Sequence, residues 1–276
     1  MEIRDLEEKA RRVRLSVLES IVASGKGHIG GTYSCTDLLV ALYYAGILRF
    51  NFRDPRWPDR DRFLIGKGHA CLALYSIFTD LGLLPDARFD TYGQDGGLGG
   101  QLDTSIPGVE YNTGSYGHVL GIAAGIALAA KMDQKSLRAY ALMGDAEMYE
   151  GSVWEAIVFA GHHKLDRLVG IIDRNRLSTT DMLDDDSFFK DFKEKMRSFD
   201  WDCHEFNGHS FPEILDVFDR IRNALRPVML IAHTVKGKGI SFMENGIKWH
   251  HGVPTATEAE RARRELVGKD QVAHVR

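Results

Sequence analysis

Gly144, Asp145 and Ala146 close an apolar run at 138–143, and a second apolar run at 168–172 ends in Asp173, Arg174 and Asn175. Each run reads as a buried strand whose last residues turn outward. In an open parallel sheet, ligands sit at the carboxyl ends of the strands. Thirty residues separate Asp145 from Asn175, about one strand–helix–strand unit, so both side chains can meet at one sheet edge. A carboxylate and an amide oxygen are hard donors. They suit Mg²⁺, which takes few protein ligands and completes its shell with phosphate oxygens and water. A helix starting at Glu150-Gly151 follows, with 153, 154, 157, 158 and 161 on one apolar face. Its amino end would face a diphosphate and favour the negative charge. A lone Gly-Asp at a strand end also serves as a turn with an Asp cap. Glu150-Gly151 and Asn175 at this spacing favour the ion site.

Four histidine-bearing stretches stand beside glycines or at element ends. They are Ser24 to Gly31 around His28, Gly66 to Ala70 around His69, Asn112 to His118, and Trp249 to Gly252 around His250 and His251. Glycines let backbone approach a ligand closely. Lys67 and His69 can both touch an anion, and imidazole can move protons near neutral pH or hydrogen-bond phosphate and sugar hydroxyls. Taken singly, each of these histidines also fits a surface or structural role. His162, His163, His204, His209, His233 and His274 lack this context and are assigned no role.

The elements that must position these residues alternate. Helices are expected at 6–23, 36–48, 70–81, 119–131, 152–163, 187–199 and 211–225. Strands are expected at 62–65, 138–143, 168–173, 201–206 and 228–235, with long ordered loops at 93–114 and 236–254. The alternation implies an α/β fold with a mostly parallel sheet covered by helices on both faces. At 276 residues with net charge −4, the chain can bury a sizeable core, and one α/β domain is the simplest expectation. No stripe of Lys or Arg suggests nucleic acid. No charge-free stretch reaches the length of a bilayer span, and the charged amino end has no signal-peptide core. Cys35, Cys71 and Cys203 are few and scattered, which suggests a reducing cytoplasm with neither disulfides nor a zinc site. No strand is followed by Gly-x-Gly-x-x-Gly in the context that nicotinamide binding requires.

Asp145-Ala146, the Glu150-Gly151 helix and Asn175 resemble the thiamine diphosphate signature, with Ala146 where its second glycine usually stands. The ordered set GHIGG, DRFLIGKGHACLALYS, PGVEYNTGSYG, GDAEMYEGSVWEA, DRNRLS and HTVKGKGISFMEN with HHG resembles the amino-terminal half of a transketolase. Decarboxylating 2-oxo acid dehydrogenases share the signature but not the GHIGG and GKGHA stretches. The chain looks like the pyrophosphate-binding half of a split, thiamine diphosphate-dependent transketolase, 1–276 being that one domain and the pyrimidine-binding domain a separate chain.

That resemblance implies a thiamin-diphosphate-binding fold and transfer of a two-carbon ketol unit from a ketose, phosphorylated or related, to an aldose. It implies Asp145, Asn175 and the Leu177 carbonyl as Mg²⁺ ligands, and His69, Gly114, Ser115, Tyr116, Ala146 and His251 as coenzyme contacts. His28 and His251 match active-site histidines near the substrate hydroxyls, with His250 one residue from the match. Glu150 matches a glutamate of a subunit-interface network. Gly121 and Gly125 match a closely packed helix. Gln101 stands where the family usually has a histidine at the donor sugar, and Gly114 to His118 departs from the usual turn, so a sulfonated or branched ketose is a further expectation. The glutamate that activates the aminopyrimidine belongs to the other domain. The implied assembly is therefore a cytoplasmic heterotetramer, two of each chain, with this chain inactive alone. The alternatives are the alpha subunit of another thiamine enzyme, such as a 2-oxo acid dehydrogenase, and a non-catalytic cofactor-binding subunit.

Overall fold

The computed structural model describes residues 1–177 and 188–267. In chain order its helices and strands are α1 (Ile3–Ser24), α2 (Ile29–Ser34), α3 (Thr36–Tyr44), β1 (Arg62–Ile65), α4 (Cys71–Asp80), α5 (Asp86–Phe89), α6 (Val119–Met132), β2 (Ala139–Gly144), α7 (Gly151–His162), β3 (Leu168–Arg174), α8 (Phe192–Ser198), β4 (Asp202–Asn207), α9 (Phe211–Arg220), β5 (Val228–His233) and α10 (Ala256–Val267). The five strands form one parallel sheet in the order β1-β2-β3-β5-β4. The chain steps along the sheet as far as β4 and then returns to insert β5. Right-handed crossovers require a reversal of direction to change face. Accordingly α6, α7 and α8 pack with one core, and α9 with the other.

β1, β2, β3 and β5 are largely apolar because both faces are covered, whereas the edge strand β4 reads Asp-Cys-His-Glu-Phe-Asn and buries only Phe206. Side chains alternate between two cores. Phe63, Ile65, Tyr140, Leu142, Val169, Ile171, Val228 and Leu230 face α1, α3, α4 and α9. Leu64, Ala141, Met143, Leu168, Ile172, Met229 and Ile231 face α6, α7 and α8. On the second side Trp201 is fully buried, and its indole N–H donates to the Ile157 carbonyl at 2.8 Å. On the first side a buried polar knot joins three elements. Arg14 donates to both oxygens of Asp37 at 2.9 and 2.7 Å, the His209 Nδ1 lies 2.7 Å from Asp37, and the Val235 N–H donates to His209 Nε2 at 2.8 Å. His209, assigned no role from sequence, thus fastens α3 to the chain leaving β5.

Several expectations shift. The GHIGG stretch enters a short helix, α2, where none was expected, and α3 begins at Thr36 as expected but ends at Tyr44, short of 48. The helix expected over 187–199 is described only as α8, and residue 187 lies outside the described residues. α9 ends at Arg220, with a 3₁₀ turn taking Ile221–Asn223. α5 and α10 were not expected; α5 is a single short turn of helix, and α10 is strongly polar. Among the described residues no helix is long and apolar enough to cross a membrane, and Cys35, Cys71 and Cys203 are free thiols.

Candidate active site

Four strand ends and two loops converge on one pocket. After β1, the 3₁₀ turn Gly68–Ala70 carries His69. After β2 comes Asp145, after β3 Asn175, and after β5 Thr234 and Lys236. His28 precedes α2, and the 3₁₀ turn Ile247–His250 brings in His250 and His251.

The Asp145 and Asn175 tips are tied by backbone. Asp145 Oδ1 accepts the Ala146 N–H at 2.9 Å, and Oδ2 accepts the Arg176 N–H at 2.6 Å. Asn175 Oδ1 accepts the Leu177 N–H at 3.2 Å, and the Leu177 carbonyl accepts from Lys236 Nζ at 3.3 Å. Burial, reinforced by Asp173, pushes the Asp145 carboxyl up to about 6. Beneath the tips, Asp173 forms a fully buried ion pair with Lys67 and also accepts hydroxyl hydrogen bonds from Ser34 at 2.6 Å and from Thr234. Burial pulls the Lys67 ammonium down, but the Asp173 carboxylate outweighs it and leaves it raised. Lys236 is lowered to about 8, by burial and then by the charge of Lys67.

Above the lysines stand four imidazoles. Ring centres lie 5.0 Å apart for His28–His69, 4.4 Å for His28–His251 and 5.5 Å for His28–His250. His250 Nδ1 is 2.7 Å from Lys236 Nζ, and His69 Nδ1 is 3.4 Å from the Tyr116 hydroxyl. A side chain at Gly31 would meet His69 Nε2 at 3.0 Å, so glycine there admits the ring. Burial, then neighbouring His251 and Lys236, lowers His28 to about 4; burial, then Lys236, lowers His250 to about 3; burial also holds His69 well below its usual 6.5. These rings are neutral at physiological pH, the state that accepts a proton.

A stability test follows, with a definite sign. A histidine whose pKa is lowered by folding binds more protons unfolded, so its contribution weakens as pH falls from 6.5 towards the folded value. Asp145 and Glu147, both raised, act in the opposite sense, so the readout is a difference. The Tm gap between the parent chain and His28→Gln/His250→Gln should narrow, or change sign, as pH falls from about 6.5 to about 4. A gap independent of pH would reject neutral buried rings.

The predicted residues do not all converge. Gly114, Ser115 and Tyr116 are exposed at the pocket rim. Gln101 is exposed beside them, its amide oxygen accepting the Thr113 hydroxyl at 3.0 Å. A Cβ on Gly68 would overlap both side chains, which places Gln101 against the His69 turn. Glu150 is exposed and heads α7. One 3₁₀ turn, Ala146–Tyr149, separates that helix start from the Asp145 tip, and α7 begins at Gly151, as the Glu150-Gly151 start implied. A Cβ added at Gly121 would meet only Ala156 Cβ, at 4.0 Å, and one at Gly125 would meet nothing within 4 Å; both glycines are exposed, so the small-residue face of α6 is open rather than packed. His118, starting α6, is exposed.

Sequence reasoning passed over three residues. Lys236 and Asp173 stand inside motifs already singled out, and their burial was the missing information. Glu147 is nearly fully buried, with its pKa raised by burial to about 7. It accepts the Gly117 N–H at 3.0 Å and the Gly144 N–H at 3.3 Å. It therefore clamps the 114–117 turn to the end of β2. Gly117 adopts φ +81°, where a side chain would also strike Ser152 and Glu150, and a Cβ at Gly66 would overlap the Glu147 carboxylate. These two glycines make room for the clamp.

Residues 6–275 match the family model described as "Transketolase, thiamine diphosphate binding domain". The chain belongs to the transketolase family. It is 41% identical over 268 residues to one of the subunits of the apulose-4-phosphate transketolase of Phocaeicola vulgatus, covering 96% of this chain and 95% of that one. It is 34% identical over 257 residues to the 6-deoxy-6-sulfo-D-fructose transketolase subunit SqwG of a Clostridium species, covering 90% of each. The crystal structure of the Campylobacter jejuni transketolase superposes with TM-score 0.87 at 28% identity over 96% of this chain. The chain spans 43% of the length of that transketolase. By family this is a transferase chain of the thiamine diphosphate-dependent transketolases, built on their α/β thiamine-binding domain.

Proposed function

We propose that this chain is the pyrophosphate-binding domain and subunit of a two-chain transketolase, moving a two-carbon ketol unit from an anionic ketose to an aldose. The observation that carries this reading is the convergence of Asp145, Asn175, Lys67 and Lys236 beneath four imidazoles. Thiamine diphosphate and Mg²⁺ fit that pocket. Lys236 and His69 offer a cation and donors to a diphosphate, and three hard oxygens gather at the strand tips. His28 Nδ1 is buried with no hydrogen-bond partner among the described residues, an orphan that a ligand would satisfy.

The coenzyme supplies the carbon nucleophile and the electron sink for cleavage beside a ketose carbonyl. The chain does the rest. Asp145, Asn175 and the Leu177 carbonyl would hold the ion; Lys236 and His69 would hold the diphosphate, with the Lys67–Asp173 pair beneath them; Gly114, Ser115, Tyr116 and Ala146 would line the coenzyme. His28 and His251 take and return hydroxyl protons, and Gln101 contacts the donor sugar. Glu150, exposed at the head of α7, belongs to the contact with the partner. Ile122, Val158 and Phe159 are exposed beside the open face of α6, an apolar surface suited to a second chain. The relatives of similar length are named as subunits, which supports a partner chain; the assembly we propose is a heterotetramer of two chains of each kind. Free thiols support a cytoplasmic location.

The relatives act, by their names, on apulose 4-phosphate and on a sulfonated deoxyfructose. We assign the donor to the same class, a ketose bearing a terminal phosphate or sulfonate. The test is reconstitution with a carboxyl-terminal transketolase chain, followed by a donor panel. Ketol transfer that needs both chains and prefers a branched phosphate or a sulfonate is expected. Full activity from this chain alone, or decarboxylation of 2-oxo acids in place of transfer, would overturn the reading.

A further inference from the structure

His28, His250 and His251 each offer one ring nitrogen, and the three nitrogens lie within 4.8 Å of one another. Their ring centres are 4.4, 4.5 and 5.5 Å apart. Three imidazoles bound at about 2 Å to one tetrahedral ion place their ring centres about 5 Å apart. Small side-chain rotations would therefore bring the nitrogens to a common point. Neutral imidazole is the form that ligates metal, and burial keeps His28 and His250 in that form at neutral pH. His251 is exposed and reaches the group from the solvent side.

We propose that His28, His250 and His251 form a binding site for a divalent transition ion of the Zn²⁺ class at the pocket mouth, and that its occupancy blocks entry of the donor sugar. This site is distinct from the oxygen corner at Asp145 and Asn175. Imidazole suits Zn²⁺, Cu²⁺ or Ni²⁺, whereas carboxylate and carbonyl oxygens suit Mg²⁺. Three neutral ligands leave a fourth position for water or a sugar hydroxyl. The Lys236 ammonium, 2.7 Å from His250 Nδ1, opposes the incoming charge and limits the affinity, which favours reversible inhibition over permanent occupancy. His69, with its ring centre 5.0 Å from that of His28, walls the inner side. The blocking half of the proposal rests on the ketol-transfer reading; the binding half does not.

The isolated chain, kept in excess Mg²⁺, is titrated with Zn²⁺ against a chromophoric chelator, and with Co²⁺ followed by visible absorption. A single equivalent bound, with the intense bands of four-coordinate cobalt, is expected. His28→Gln and His250→Gln should each weaken Zn²⁺ binding by at least about tenfold. His163→Gln, in a separate surface pair with His162, should leave it unchanged. Equal affinity in both pocket variants, or the pale spectrum of six-coordinate cobalt in the parent chain, overturns the site. The parent spectrum needs no variant, so a misfolded variant cannot decide the matter. In the reconstituted enzyme, Zn²⁺ should compete with donor sugar and be reversed by chelator. Binding with unchanged turnover overturns the blocking role, and an enzyme inactive with every donor would count against the ketol-transfer reading and not against the ion site.

Discussion

Asp145→Asn should reduce ketol transfer by the reconstituted enzyme about 10³-fold and abolish Mg²⁺-dependent coenzyme binding in calorimetry. Each factor of ten in rate is about 1.4 kcal/mol, so the loss amounts to about 4 kcal/mol, the scale expected when a metal's charge is lost from a site. The amide keeps the shape and one acceptor for the Arg176 N–H, whose bond to Asp145 joins the two strand ends. The stability of the empty chain should move the other way. The Asp145 carboxyl is raised to about 6 by burial and then by Asp173. A carboxyl raised on folding binds more protons folded than unfolded between 3.8 and about 6. Ionised above that window, it therefore opposes folding. At pH 7.5 the apo variant should melt at or above the parent temperature while binding nothing. A variant that loses both stability and binding would mean that Asp145 is a turn cap and not an ion ligand. Such a trade of stability for function is common where charge is stored in a site.

The second large effect is structural. Lys67→Met should destabilise the chain by about 3–5 kcal/mol, because it leaves Asp173 as an uncompensated buried charge. Lys67 is 2% exposed and Asp173 0%, so water cannot take over. At roughly 2–4 °C per kcal/mol for a chain of this size, the drop in Tm is on the order of 10 °C. The double variant Lys67→Met/Asp173→Asn should recover part of it, since the two residues share one interaction and their effects cannot add. Strict additivity in this cycle would show that the pair is not coupled. Asp173 also holds Ser34 before α3 and Thr234 after β5, so breaking the pair loosens the floor beneath the imidazoles as well as the core.

Strand positions were readable from the chain because they depend on local pattern. Apolar runs at 138–143 and 168–173 became β2 and β3 within one residue, and Asp145 and Asn175 emerged at adjacent strand ends. The pocket's histidines were readable as separate stretches beside glycines. Their meeting was not, since His28 and His251 are 223 residues apart in sequence and only tertiary packing decides it. The same limit explains Glu147. A glutamate between Ala146 and Met148 looks like an ordinary helix-start residue, and nothing local says that the Gly117 and Gly144 amides will turn towards it. The 3₁₀ turn Ile247–His250 and its C-cap His251 direct both rings at His28 from different sides. The helix over 29–34 was missed because Gly30-Gly31 weakens local helix propensity; tight packing against Trp249, Lys236 and His69 overrides it.

The alternation of strand side chains between two apolar layers bears on attempts to re-engineer the sugar preference. Gln101, Thr113 and Tyr116 belong to neither layer. Saturation libraries confined to these three rim positions should sample new donors while leaving melting behaviour close to the parent's, whereas substitutions deeper in the fold, at Lys67, Glu147 or Asp173, would confound every activity screen with loss of folded protein.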